Sequence, residues 1–203
     1  MPRIVKAPEV RRNELMDVAE HIFVEKGCDR TSPSDIIRAA GVAQGTFYNY
    51  FKSKDEIVRA IIVRYLERYE QYVEEVAGNG NLSALEKARL ILDAFDVLTS
   101  RKMRMGGHVR DLMVLSGQVD YWRCIRERIY PSVQQVLQQG IDEGVFKAEY
   151  PEETAEVLIV INQHLHDDLK RIDDPEARER KIAATRAAME RIVGARTGTL
   201  RRR

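Results

Sequence analysis

Apolar residues recur at three- and four-residue steps along nearly the whole of this chain, and no segment alternates cleanly with period two. That pattern confines the fold to packed helices, because an apolar stripe of this spacing lies on one face only when the backbone is helical. Leu15, Val18, Ala19, Ile22 and Phe23 set out a first helix, and Gly27 after Lys26 is its stop signal. "TSPSDIIRAAG" then opens a second, short helix. Ser32 is its N-cap, Pro33 its first helical residue, and Asp35 stands three residues beyond the cap, where a capping box has an acid. Gly41 ends that helix. Only Val42 and Ala43 separate it from a dense polar-aromatic cluster, so the chain turns within about three residues into another short helix, which is helix-turn-helix spacing.

On this third helix Phe47 and Phe51 lie four apart and share a face, the one that packs inward. Gln44, Thr46, Tyr48 and Asn49 fall largely on the other faces. With Tyr50, Lys52 and Lys54 they form more polar equipment than packing requires. A projecting face of amides, hydroxyls and phenols suits the DNA major groove, where an amide pairs with adenine through two hydrogen bonds and hydroxyls reach phosphates. Charge has to enter here, because a formal net charge of +1 gives the chain no general attraction for phosphate. Any basic footprint is local. Arg3, Lys6, Arg11 and Arg12 near the start and Arg201, Arg202 and Arg203 at the end are its candidates, against a plainer reading in which both ends are solvated and disordered.

"AEHIFVEKGCDRTSPSDIIRAAGVAQGTFYNYFKSKDEI" resembles the DNA-binding domain of the TetR family of transcriptional regulators over about residues 12 to 60, with Ala40, Gly41, Val42, Gly45, Thr46, Tyr48, Phe51, Ser53 and Lys54 all in place. Two positions depart from the family pattern: Ile37 replaces a small alanine, and Pro33 stands where many members carry valine or a basic residue. Basic residues usual early in the second helix are also missing, which leaves Lys52, Lys54 and the N-terminal arm to neutralise phosphate. The resemblance implies that Gln44, Thr46 and Asn49 face base edges or nearby sugar-phosphate, and that Tyr48, Tyr50, Lys52 and Lys54 hold the backbone. It also implies that Thr31 and Ser32 offer N–H groups and a hydroxyl to a phosphate, and that Gly45 permits close approach to the groove.

The expected fold is therefore all-α: a three-helix helix-turn-helix DNA-binding domain at residues 9–55, followed by a helical effector-binding and dimerisation domain at 56–203. "IVRAIIVRYLERYEQYVEEV" reads as a long fourth helix, with further helices near Ser83–Ser100, after Gly106, and from about Val119 to Gly140. Pro131 inside the last of these predicts a kink. Two final helices each open on proline and glutamate. By the resemblance they pair with a second subunit as a homodimer, with Leu158, Ile161, Leu165, Ile182, Met189 and Ile192 as the apolar stripe. It further implies a small-molecule pocket in the body. Large or soft side chains at helical spacing are its candidate lining: Tyr65, Tyr69, Phe95, Met103, Met113, Trp122, Ile125 and Tyr130, with His108, Gln163 and His164 as polar contacts. The expected effector is a largely apolar or aromatic small molecule, and the expected partner is a double-stranded, palindromic operator bound by two heads about 34 Å apart.

Other functions find less support in the residues. Cys28 and Cys124 are far apart and without a CxxC partner, so they read as reduced cytosolic thiols, and the longest apolar run, "VLIVI", is too short for a bilayer. The chain is thus expected in the cytoplasm with no membrane partner. "NQHLHDD" is the one cluster with metal-ligating chemistry, but His164 and His166, two apart, point about 200° from each other on a helix. His164 and Asp168 share a face, which makes two ligands and not a site. A metal-responsive sensor, or a ligand-activated activator on the same fold, is the alternative. No catalytic residue, cofactor or metal site is assigned, since no activated nucleophile or paired carboxylate has a convincing setting.

Overall fold

The computed structural model describes residues 7–104, 121–169 and 172–201, which hold eight helices and no strand. They are α1 (Pro8–Lys26), α2 (Pro33–Ala40), α3 (Gln44–Tyr50), α4 (Lys54–Gly78), α5 (Ala84–Arg104), α6 (Tyr121–Asp142), α7 (Pro151–Leu169) and α8 (Pro175–Ile192). The short helix expected after Gly106 lies outside the described residues. Pro131 sits within the continuous span of α6. No helix of the described residues is long and apolar enough to cross a membrane.

The described residues form two compact units, one of residues 7–66 with 100–104 and one of residues 67–99 with those from 121 onward. In the N-terminal unit, the core is the set that the periodicity marks. Leu15, Ala19 and Phe23 of α1, Ile36 of α2, Phe47 of α3 and Phe51 after it, with Ile57, Val58 and Ile61 of α4, have no exposed surface. Polar contacts add direction to this packing. Arg64 of α4 pairs with Asp17 at 2.7 Å and with Glu20 at 3.2 Å on α1, and the Tyr65 hydroxyl donates to the same Glu20 carboxylate.

Cys28 is fully buried, and its carbonyl accepts from Lys54 Nζ at 3.0 Å, across 26 residues of chain. Burial pushes its thiol up to about 11, with Asp29 and Asp55 adding to the rise and Lys54 opposing it. An unfolded cysteine ionises near 8.5, so the folded value is the raised one. The stability this contributes is complete below about pH 8.5 and is lost as pH climbs toward 11. It follows that Cys28, in a Cys124→Ser background at pH 8, reacts with iodoacetamide at least about 100-fold more slowly than a free thiol, and that urea restores ordinary reactivity. Rapid alkylation of the folded protein would show that the α1–α2 connection opens readily.

In the C-terminal unit α6 packs on α7 and α7 on α8. One buried cluster joins Ala84, Leu137, Phe146, Ala155 and Val193; a second joins Leu165, Leu169 and Ile182. Gly140, read from the sequence as the end of its helix, has a packing duty instead. The Phe146 ring lies where a side chain would stand: a Cβ at 140 would come within 1.9 Å of its Cδ2 atom. The buried Lys87 ammonium closes the α4 end by donating to the Ala77 carbonyl at 2.6 Å and to Gln139 Oε1 at 2.7 Å. Leu165, Ile182 and Met189, expected on an outward stripe, are instead 2–6% exposed, because these positions of α7 and α8 face their own subunit. The large apolar side chains that α7 and α8 do present to solvent, among the described residues, are Val157, Val160 and Ile192.

Candidate nucleic-acid interface and effector cavity

The capping box opens α2 as expected. Ser32 Oγ accepts from the Asp35 N–H at 3.2 Å, while the Asp35 carboxylate accepts from the Ser32 N–H at 2.9 Å and from its hydroxyl at 2.6 Å. Those bonds from the side chain and backbone of Ser32 hold the Asp35 carboxyl below the usual aspartate value. At the other end Gly41 adopts φ 61, a left-handed conformation that side chains resist, and Val42 N–H reaches back to the Ile37 carbonyl at 3.3 Å. The chain is thereby aimed through Val42 and Ala43 into α3.

Helix α3 is anchored from below and open above. Phe47 is fully buried, 6.0 Å from the Phe51 ring, and meets Tyr48 edge-on at 5.4 Å. The Arg12 guanidinium lies over the other aromatic anchor, 5.1 Å from the centre of the Phe51 ring. Gln44, Gly45, Tyr48 and Asn49 are exposed, while Thr46 and Tyr50 are half-buried. Gly45 is informative because a Cβ there would meet nothing within 4 Å. A glycine inside a helix costs about 1 kcal/mol relative to alanine, and among the described residues none crowds this position.

Three of the expected phosphate contacts have internal duties. Thr31 is 2% exposed, its hydroxyl donating to the Gly27 carbonyl at 2.9 Å and its N–H to the Cys28 carbonyl, so it closes the α1–α2 connection and does not face outward. Ser32 is exposed, but its hydroxyl is committed to Asp35, whose negative charge already occupies the α2 N-terminus. Lys54 spends one of its three ammonium protons on Cys28 and is half-buried. Lys52 remains on the surface, its Nζ 2.9 Å from the Tyr48 carbonyl at the end of α3. Which way the Thr31 and Lys54 side chains turn is set by these contacts, between residues that local sequence does not pair.

The C-terminal unit holds a cavity of about 100 Å³. Its walls are Tyr69 of α4, Ile91 of α5, Ile129, Val133 and Leu137 of α6, Phe146 between α6 and α7, Leu158 and Asn162 of α7, Met189 of α8, and Leu200 among others. Among the described residues the lining is apolar but for the Asn162 amide and the Tyr69 hydroxyl, which donates to the Ile91 carbonyl at 3.4 Å. Of the expected lining residues Tyr69 is present. Tyr65 is buried in the N-terminal unit against Glu20, and Tyr130 packs against the cluster around Leu137. His164 points to solvent, its side chain 74% exposed and 3.5 Å from Asp168, because it lies on the face of α7 away from the core. Asp168 also pairs with Lys181 of α8 at 2.5 Å. His108 and Met113 lie outside the described residues, as do the side chains of Phe95, Met103, Trp122, Ile125 and Gln163. Leu158 and Met189 of this wall were expected on the stripe that meets a second subunit, because spacing alone does not separate a cavity wall from an interface.

Among the described residues no three His, Cys, Asp or Glu side chains converge as metal ligands would. A buried aromatic base, a three-residue turn with a left-handed glycine and an exposed polar α3 define a helix-turn-helix DNA-binding protein. Comparison with known proteins narrows this class. Residues 15–61 match the family described as "Bacterial regulatory proteins, tetR family", and residues 120–188 match "Tetracyclin repressor-like, C-terminal domain", together more than half of the chain. The chain belongs to the TetR family and is a DNA-binding transcriptional regulator. It is 27% identical to the HTH-type transcriptional repressor KstR2 of Mycolicibacterium smegmatis over 153 residues, which is 72% of each chain. The fold matches a TetR-family regulator from Pectobacterium atrosepticum with a TM-score of 0.73 at 19% identity, over 92% of this chain and 95% of that one. It also matches SmeT in complex with triclosan with a TM-score of 0.64 at 18% identity, over 96% and 98%.

Proposed function

We propose that this regulator is a ligand-responsive repressor, acting in the cytoplasm, that binds a palindromic operator as a homodimer and reads it through Gln44, Thr46 and Asn49. The observation that carries the reading is α3 itself: a helix held by Phe47 from beneath, with an amide pair on its open face and a glycine that leaves space for close approach. Tyr48, Tyr50 and Lys52 hold the phosphates, and Lys54 does so with the donors that Cys28 leaves it. Repression is supported by the name of the mycobacterial relative, and an apolar or aromatic effector by the lining of the cavity and by the triclosan bound to SmeT. Effector binding shifts the population between dimers that can and cannot bind DNA. Selection of bound duplexes from a random pool tests this reading: enrichment of an inverted repeat, with half-site centres one helical turn apart, is the expected result. Recovery of unrelated sequences at equal affinity would refute it.

Val157 and Val160, three apart on α7 and 45% and 56% exposed, with Ile192 on α8, form the face through which a second copy binds. Val160→Glu is expected to weaken the dimer by about 2 kcal/mol, roughly 30-fold in its dissociation constant, without lowering the unfolding midpoint of the monomer. Sedimentation equilibrium measures the first effect and urea unfolding the second. An unchanged dimer would place the interface elsewhere.

A further inference from the structure

The segment that follows α8 does not trail into solvent as far as Leu200. After α8 the backbone turns at Gly194, φ 63, and again at Gly198, φ 86, and returns along α8. Glu190 receives it: one carboxylate oxygen accepts from the Gly198 N–H at 2.8 Å and the other from the Leu200 N–H at 2.7 Å. Arg186, held by Asp93 at 2.8 Å, donates to the Leu200 carbonyl at 3.2 Å, and Arg89 donates to that of Thr199. Arg186 and Glu190 are each 2% exposed. Two charged side chains are thus buried in order to grip a terminal segment by its backbone, and the residue they present is Leu200. Its side chain is 3% exposed and forms part of the wall of the apolar cavity.

We propose that Leu200 is a built-in plug of the effector cavity, and that effector entry requires the segment from Gly198 onward to leave the Glu190–Arg186 clamp. The inference rests on the reading of this cavity as the effector site. At about 100 Å³ the cavity falls below the roughly 300–1,000 Å³ typical of small-molecule sites, and release of the leucine side chain enlarges it where it meets the tail. The cavity therefore takes an apolar group in competition with a leucine side chain. An aliphatic or ring hydrocarbon body is the ligand chemistry that replaces it. The clamp sets the threshold: breaking the two N–H bonds to the Glu190 carboxylate and the Arg186 bond to the Leu200 carbonyl opposes opening, so the affinity observed is the intrinsic affinity reduced by the fraction of molecules that are open.

The test uses the full chain and the neutral fluorescent probe N-phenyl-1-naphthylamine. If the open state is populated at about 10%, Leu200→Ala tightens probe binding by about tenfold. Glu190→Gln, which retains Leu200 and weakens its clamp, tightens it in the same direction, and it carries the test should Leu200→Ala fold poorly. Saturating probe should also speed tryptic cleavage after Arg196 in the unaltered chain, because the segment beyond it has been released. Equal probe affinity in all three chains would overturn the plug and leave the cavity as the effector site. Absence of probe binding in every chain would overturn both.

Discussion

Gln44→Ala is expected to weaken operator binding by about 1–3 kcal/mol per half-site, hence about 2–6 kcal/mol for the dimer, and to relax preference mainly at one base position in each half. The residue begins α3 on its exposed side, and its amide has no packing role that the substitution would disturb. Binding to the selected operator and to its single-base variants, measured at several salt concentrations, separates reading from holding. A base contact changes the ranking of the variants and leaves the salt slope alone, whereas loss of a phosphate contact lowers all of them together and reduces the slope by about 1 per subunit. If Gln44→Ala lowers every sequence equally, the amide holds the backbone and the base-reading residues lie further along α3. If it has no effect, the exposed face of α3 is not the DNA-reading surface.

The other large effect is structural in origin and functional in outcome. Phe47→Ala removes a ring with no exposed surface from beneath the recognition helix, next to Phe51 at 6.0 Å, and is expected to cost about 3–5 kcal/mol. Because α3 has only seven residues, it cannot persist without that anchor. Operator binding should be lost at temperatures where helix content falls only slightly, since most of the helical residues belong to the C-terminal unit. Urea unfolding followed by circular dichroism, with the operator titrated in parallel, measures both. Phe47→Leu keeps most of the volume and is expected to cost less than about 1.5 kcal/mol, with binding retained. Loss of binding in the leucine variant at unchanged stability would mean that the ring itself, through its edge-on contact with Tyr48, sets the orientation of a DNA-contacting side chain.

Much of this protein is determined by local sequence. The helix boundaries of the head follow from features within a few residues of each other: Ser32 and Asp35 close a capping box, Gly41 supplies the left-handed turn, and Phe47 with Phe51 selects the buried side of α3. Such interactions span three to five residues, so they are legible in one dimension, and the helix-turn-helix was legible with them. In the C-terminal unit the periodicity showed that α5 to α8 exist and roughly where they begin.

Which partner each helix face meets is a different matter, decided by contacts between residues far apart in the chain. Lys54 meets the Cys28 carbonyl, and Arg186 meets Asp93 across 93 residues. Aromatic size suggested a pocket lined by tyrosines, methionines and Trp122, yet the described cavity wall is mostly aliphatic, because it forms where α5, α6, α7 and α8 fail to close completely. A stripe on α7 and α8 shows that a helix has an apolar side but not whether its own subunit or another covers it: Leu165 and Ile182 turned inward, Val157 and Val160 outward. The tail shows the same limit most plainly. "GARTGTLRRR" carries glycines and charge that suit a solvated end, and nothing local marks Leu200 for burial. Its position comes from Glu190 and Arg186, both within the last two turns of α8, and from a cavity that only the packed helices create.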